Sequence, residues 1–251
     1  MLQKTLQDIQ KRLSSEQGDM PLHVWTQSHS EAIGDVVDTT FAIRRGKEVM
    51  LMAEVANFCG QAFTDQSVEW RGTVNDLFSM DIQEPKQRAV ISASCNALGC
   101  MLGVSDKVIH CKEKEPILCA DALLQFLDGN VENREEQKIA LVGLQPAFLK
   151  ALAQSQKQGC LRVLDLDAEN VGQKRSGILI ENGNCDTDAV LQWCDVALVT
   201  GSTMVNGTVN SLLEKLESYG CRYWFFGNSI AVAAALQKQP HYCQYATTGR
   251  K

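Results

Sequence analysis

Residues 2–14 place Leu2, Leu6, Ile9 and Leu13 on one side at helical spacing, which predicts an amphipathic helix docked through that stripe. Two stretches, Asp35–Ile43 and Glu48–Val55, are dominated by β-formers, and Arg44-Arg45-Gly46-Lys47 between them suits a hairpin turn. Thr73 is placed to cap a short helix, VNDLFSM, and Glu84-Pro85 opens a longer one, QRAVISASCNALGCML, whose small residues allow close packing. After Gly103, KVIHCKEKEPILCADALLQFLDG reads as a short strand, a polar turn and a helix ending near Gly129. ENREEQK at 132–138 is a charged connector.

Beyond it the period changes. KIALVG, LRVLDLD, GILIE, VALVTG and YWFFG are short apolar runs of strand length. They alternate with the helical patterns PAFLKALAQSQ, DTDAVLQW, NGTVNSLLEKLESYG and SIAVAAALQK. Continuous apolar strands separated by helices predict a parallel sheet covered on both faces, the plan of a Rossmann-like α/β domain. The boundary expected from this change divides the chain into residues 1–130 and 131–251.

Composition adds limits. At 251 residues either half can bury its own core without metal or disulfide staples. A net charge of −6 disfavours adhesion to phosphate backbones or anionic lipid, so neither nucleic acid nor membrane is expected as a partner. No apolar run approaches the roughly 20 residues that cross a bilayer, and MLQKTLQDIQKRL lacks the apolar centre of a signal peptide. Ten cysteines in a chain of this kind read as reduced thiols in the cytoplasm.

In an open parallel sheet, ligands sit beyond the carboxyl ends of the strands, which directs attention to the residues that follow each one. Gly143 follows the first strand of the second half, Asp165 ends the next, and GSTMVNGT follows a later one. This last segment supplies Gly201, Ser202, Thr203, Asn206, Gly207 and Thr208, and Gly227, Asn228 and Ser229 follow the final strand. Glycine permits close approach to main-chain amides, and hydroxyl or amide groups at helix starts suit an anion or polar ring. Asp165 lies 22 residues after Gly143, the position of a ribose-binding acid, yet neither GxGxxG nor GxxxxGK[ST] is present. Ordinary dinucleotide and ATP binding is therefore not expected.

His110, Cys111 and Cys119 form the densest group of soft and borderline metal ligands, suited to zinc, iron or copper. Cys95 and Cys100 point about 140° apart on a helix and do not share an ion. With Cys160, Cys194 and Cys221 they read as small buried hydrophobes. Asn96, inside an apolar helix, must find partners or face a cavity. His23, His29 and His241 have no sequence-near ligands, the carboxylates Asp38, Asp65, Glu69 and Asp76 are not paired by spacing, and GSTMV lacks the GxSxG elbow. Hydrolytic catalysis is not supported.

NALG at 96–99, VTGSTMVNGTVNSLLE at 199–214 and IALVGLQPAFLKAL at 139–152 resemble the putative heavy-metal-chelation family. The resemblance implies an enolase N-terminal-like α+β domain followed by a Rossmann-like parallel-sheet domain. It also implies a cleft between them that takes a metal or a small heterocyclic metabolite, with the GST and NGT residues on one wall and Asn96 on the other. Relative to that pattern the chain is short after its last helix. The function expected is small-ligand binding, with chelation of a heavy metal or metal-bearing metabolite. The alternative is an enzyme of anaerobic cofactor or heterocycle metabolism using the same cleft. A transition metal of unassigned identity is the expected cofactor, and homo-oligomerisation is left open.

Overall fold

The computed structural model describes residues 1–34, 43 and 48–251. The strand expected from Asp35, its turn at Arg44 to Lys47, and Asp38 lie outside the described residues apart from Ile43, which is buried with Ala32, Ile33 and Met50. The chain divides into two compact units. The first comprises Met1–Glu113, Gly201–Asn210 and Phe226–Lys251; the second comprises Lys114–Thr200 and Ser211–Phe225.

The first unit contains an antiparallel sheet of β1 (Pro21–Thr26), β2 (Val49–Val55), β3 (Phe58–Thr64) and β4 (Glu69–Thr73), in the order β3-β2-β1-β4. Strand β2 is where the β-formers predict it, and it makes a tight hairpin with β3 through Ala56, whose φ is 50°. The first helix, Leu2–Gln10, buries Leu2, Leu6 and Ile9 as expected but ends four residues early. There Ser14 and Gln17 form a capping box that starts the short helix Ser15–Gly18. Thr73 caps Val74–Leu77 in the same way with Asp76.

The helix Pro85–Met101 begins with the Glu84 carboxylate accepting the Lys86 and Gln87 N–H groups, and it buries every residue from Ala89 to Cys100. A helix apolar on all sides must be covered on all sides. On one side β3 comes so near that a Cβ on Gly60 would lie 2.1 Å from the Ala97 nitrogen and 2.5 Å from the Asn96 carbonyl carbon. On another, a Cβ on Gly99 would lie 2.4 Å from the Val232 side chain. The small residues thus set the distance between helix and sheet, as their abundance suggests.

The second unit carries a mostly parallel sheet: β5 (Ile139–Val142), β6 (Leu161–Asp165), β7 (Lys174–Arg175), β8 (Ile178–Asn182), β9 (Val196–Thr200) and β10 (Arg222–Phe226). Along these strands the order is β10-β9-β5-β6-β8-β7; β5 pairs in parallel with β6 and β9, β6 pairs in parallel with β8, and the short β7 pairs antiparallel with β8. The chain builds outward from β5 first to one side and then to the other, so the winding reverses between β5 and β9. This is the mixed α/β class that the alternating pattern predicts. No helix among the described residues is long and apolar enough to cross a membrane.

Gly60→Ala is expected to lower unfolding free energy by about 3 kcal/mol, because main chain rather than a flexible side chain meets the new methyl. Gly129→Ala, where nothing lies within 4 Å, should be neutral or gain up to about 1 kcal/mol. Urea denaturation of the two variants checks the contrast.

Candidate functional site

In the first unit a polar node is built on Gln61, a fully buried side chain in β3. Its Oε1 accepts the His110 N–H at 2.6 Å, and its Nε2 donates to Gln27 Oε1 at 2.6 Å. Its main-chain N–H donates to the Val108 carbonyl at 3.0 Å. Asn96 reaches the same place from the helix. Its Nδ2 shares two hydrogens among the carbonyls of Gln61 (2.8 Å), Asn228 (3.1 Å) and Ser229 (3.2 Å), while Oδ1 accepts the Val232 N–H at 3.3 Å. The Asn96 carboxamide, expected to need partners, therefore finds them in main chain.

The turn that it holds is gripped from other directions. Asn228 Nδ2 donates to the Val108 carbonyl at 3.2 Å, and Ser229 Oγ accepts the Phe63 N–H at 3.0 Å. The His241 ring hydrogen-bonds through Nε2 to the Gly227 carbonyl at 2.8 Å, which requires that nitrogen to carry the proton. Gly227 itself has φ 87°, a conformation that favours glycine.

GSTMVNGT is not an open loop. Ser202–Asn206 forms a short helix with Thr203, Met204 and Val205 buried, and Gly207 ends it in the left-handed region at φ 89°. Asn206 Oδ1 accepts both the N–H (3.0 Å) and the hydroxyl (2.7 Å) of Thr208. Arg88, from the helix Pro85–Met101, covers the carbonyl end. Its guanidinium donates to Val205 O at 2.6 Å and Asn206 O at 3.3 Å, and also to the carbonyls of Ile82 (3.1 Å) and Gln83 (3.2 Å). A cation at exposed helix carbonyls is electrostatically favourable. Gly201 lies against Ile230, where a Cβ would approach the main-chain nitrogen to 3.0 Å.

Two atoms of this node remain unpaired: His110 Nδ1 and Asn228 Oδ1 are sealed from solvent and have no hydrogen-bond partner. The His110 ring stands edge-on to Phe63, with centroids 5.0 Å apart and planes at 89°. Residue His110 as a whole is only half-buried, yet burial of the imidazole pulls its pKa down from 6.5 to about 4. At neutral pH the ring is uncharged, with one N–H and one lone pair.

Cys111, next in the chain, is buried, and Cys119 is buried on the helix Glu115–Asn130 of the second unit. Among the described residues no group of three or more His, Cys, Asp or Glu is placed to hold a metal ion, His110, Cys111 and Cys119 included. Burial pushes the Cys95 thiol up to about 12, in keeping with its reading as a small hydrophobe.

In the second unit Gly143 and Asp165 occupy the ends of neighbouring strands. Gly143 has φ 90°, and a Cβ there would lie 2.4 Å from Thr200 Cγ2, so the winding reversal between β5 and β9 admits only glycine. The Asp165 carboxylate accepts the Leu144 N–H at 2.8 Å, the Asp167 N–H at 2.7 Å and Asn170 Nδ2 at 3.4 Å. It fastens the loop after β5 to the loop after β6. Gln27, Gln61, Phe63 and Arg88 are the node residues that sequence reasoning does not single out. The available signals were a glutamine inside the strand FCGQAF and an arginine one turn before the apolar face of a helix.

Residues 125–232 match the family model DUF364, described as putative heavy-metal chelation. This is the family the sequence motifs resemble. The DUF364 match takes in Gly143, Asp165, GSTMVNGT and the Gly227–Ser229 turn, whereas Asn96 and His110 lie before it. Two solved DUF364 structures of unknown function are similar in fold. The one from Pyrococcus horikoshii shares 14% identity with a TM-score of 0.53, over 91% of this chain and 79% of its own. The one from Desulfitobacterium hafniense DCB-2 shares 14% with a TM-score of 0.51, over 76% and 73%. No curated protein matches the chain.

Asn96→Ala should lower stability by about 2–4 kcal/mol, since it strands buried main-chain groups of Gln61, Asn228, Ser229 and Val232; chemical denaturation measures the loss. His110 gives a pH signature of definite sign. Its folded pKa lies below the ordinary 6.5, so the unfolded chain takes up the proton first. Stability is intact above pH 6.5 and declines as pH falls toward about 4, by about 2 kcal/mol for a residue that is half-buried as a whole. Unfolding curves of His110→Gln should lose that part of the slope; a slope unchanged from the wild type would contradict it.

Proposed function

We propose that this chain is a small-ligand-binding protein that takes a metal carried by a small molecule, with His110 supplying one donor from the first unit. The observation that carries the reading is the uncharged His110 imidazole whose Nδ1 is buried and unpaired. A neutral imidazole is a good ligand for zinc, cobalt, nickel or iron, and it requires no proton release at neutral pH. The description of the DUF364 family model supports the same chemistry.

One imidazole is one donor, and a closed tetrahedral site needs four. The remaining donors come with the ligand, which makes a metal-bearing metabolite a better occupant than a bare ion. The hydroxyl and amide groups of the GSTMVNGT segment and the Gly227–Ser229 turn, in the same unit as His110, are suited to such a molecule's polar edge. This reading keeps a cytoplasmic location, an enolase N-terminal-like first domain and a Rossmann-like second domain as parts of the proposal.

The test is elemental analysis and absorption spectroscopy of full-length protein purified without oxygen. Metal and a chromophoric small molecule should leave together on denaturation, and His110→Ala should retain neither. With Co(II) as probe, the wild type should give d–d bands that shift or vanish in His110→Ala. Metal-free protein with Co(II) spectra indifferent to His110 would overturn the proposal.

A further inference from the structure

The second unit holds a pair of thiols outside this node. Cys194 follows the helix Thr187–Trp193 and precedes β9, and Cys221 directly precedes β10. The two strands start in register, with the Arg222 N–H donating to the Asp195 carbonyl at 3.2 Å. This brings Cys194 Sγ and Cys221 Sγ to 2.9 Å, within about 0.9 Å of the bonded length of a disulfide. Two buried cysteines packed only as hydrophobes have no need to meet sulfur to sulfur.

We propose that Cys194 and Cys221 form an oxidisable dithiol, a modification site at which a hydroperoxide converts the pair into an intramolecular disulfide. The Cys221 thiolate attacks the peroxide; an S–O bond forms, the O–O bond breaks, and the departing alkoxide or hydroxide takes up a proton. Cys221 is then a sulfenic acid, oxidised by two electrons as the peroxide is reduced. The Cys194 sulfur attacks it, the S–S bond forms, the S–O bond breaks, and the Cys194 proton leaves with the hydroxide as water. In sum, two thiols and one hydroperoxide give one disulfide, one alcohol or water, and one further water.

The order of attack follows from the pair's asymmetry. The two sulfurs share a hydrogen bond, and with Cys194 as its donor the Cys221 pKa is lowered and that of Cys194 raised. Both residues are buried, with exposures of 8% and 6%, which favours a small hydroperoxide over a bulky disulfide as the oxidant. The bond would close a ring from residue 194 to residue 221, which contains GSTMVNGT and the helix Val209–Ser218.

Fully reduced, full-length protein is treated with hydrogen peroxide, denatured, alkylated and mapped by mass spectrometry. Two of the ten thiols should escape alkylation, the intact mass should fall by two hydrogens, and the linked peptides should contain Cys194 and Cys221. In Cys194→Ser, dimedone should trap a sulfenic acid on Cys221, and in Cys221→Ser none should form on Cys194. The wild-type mapping stands whether or not either variant folds. Alkylation of both Cys194 and Cys221 in treated wild type, or a linkage through another cysteine such as the exposed Cys185, would overturn the proposal.

Discussion

Everything in the first unit depends on how closely the helix Pro85–Met101 lies on β3. Gly60 removes the side chain that would hold main chain away from main chain, and Ala93, Ala97 and the neighbouring small residues do the same from the helix. At that separation a short asparagine can span the gap and touch the Gln61 carbonyl at 2.8 Å. A wider spacing would take the Gln61 carbonyl out of reach and leave the buried Asn96 amide short of one partner, at a cost comparable to that hydrogen bond. The packing constraint thus comes first, and the polar node exists because of it.

Within the node, satisfied and unsatisfied groups divide by role. Asn96 and Ser229 use their side chains on main-chain atoms and hold a turn in place, and Arg88 does so for the end of a short helix. His110 differs: its backbone is anchored to Gln61 while its ring Nδ1 is left without a partner. A buried, neutral imidazole with Nδ1 unpaired is a cost that the hydrogen bonds of the node do not offset. A rigid backbone with Nδ1 left unpartnered is the arrangement that the proposed ligand capture calls for.

Long, strongly periodic segments were legible in the sequence. The alternation of apolar runs and helices after residue 138 gives the parallel sheet strand by strand, and Glu84-Pro85 marks the start of the long helix. Strands β1, β3 and β4 were not legible. LHVWT mixes polar and aromatic residues because only one face is buried, EWRGT has no fully buried residue, and FCGQAF carries a glycine and a glutamine that belong to its contact with the helix rather than to strand propensity. In the candidate site, Asn96 was readable from its burial among apolar neighbours. GSTMVNGT looked like a loop because its polar residues hide a five-residue helix stabilised from outside by Arg88. The partners that lie more than a hundred residues away, such as Asn228 for Asn96, leave no local trace.

That separation affects the order in which the chain can fold as it is synthesised. The first unit is assembled from three stretches, the last beginning at Phe226, whereas the second needs only residues 114–225. The Asn96 amide waits for carbonyls that emerge 132 and 133 residues later. The early sheet and helix can collapse on the ribosome, but their polar centre stays open until the second unit has been made. The parallel strands from β5 to β10 are therefore able to pair first, and the first unit closes after them, around residues that follow Phe226.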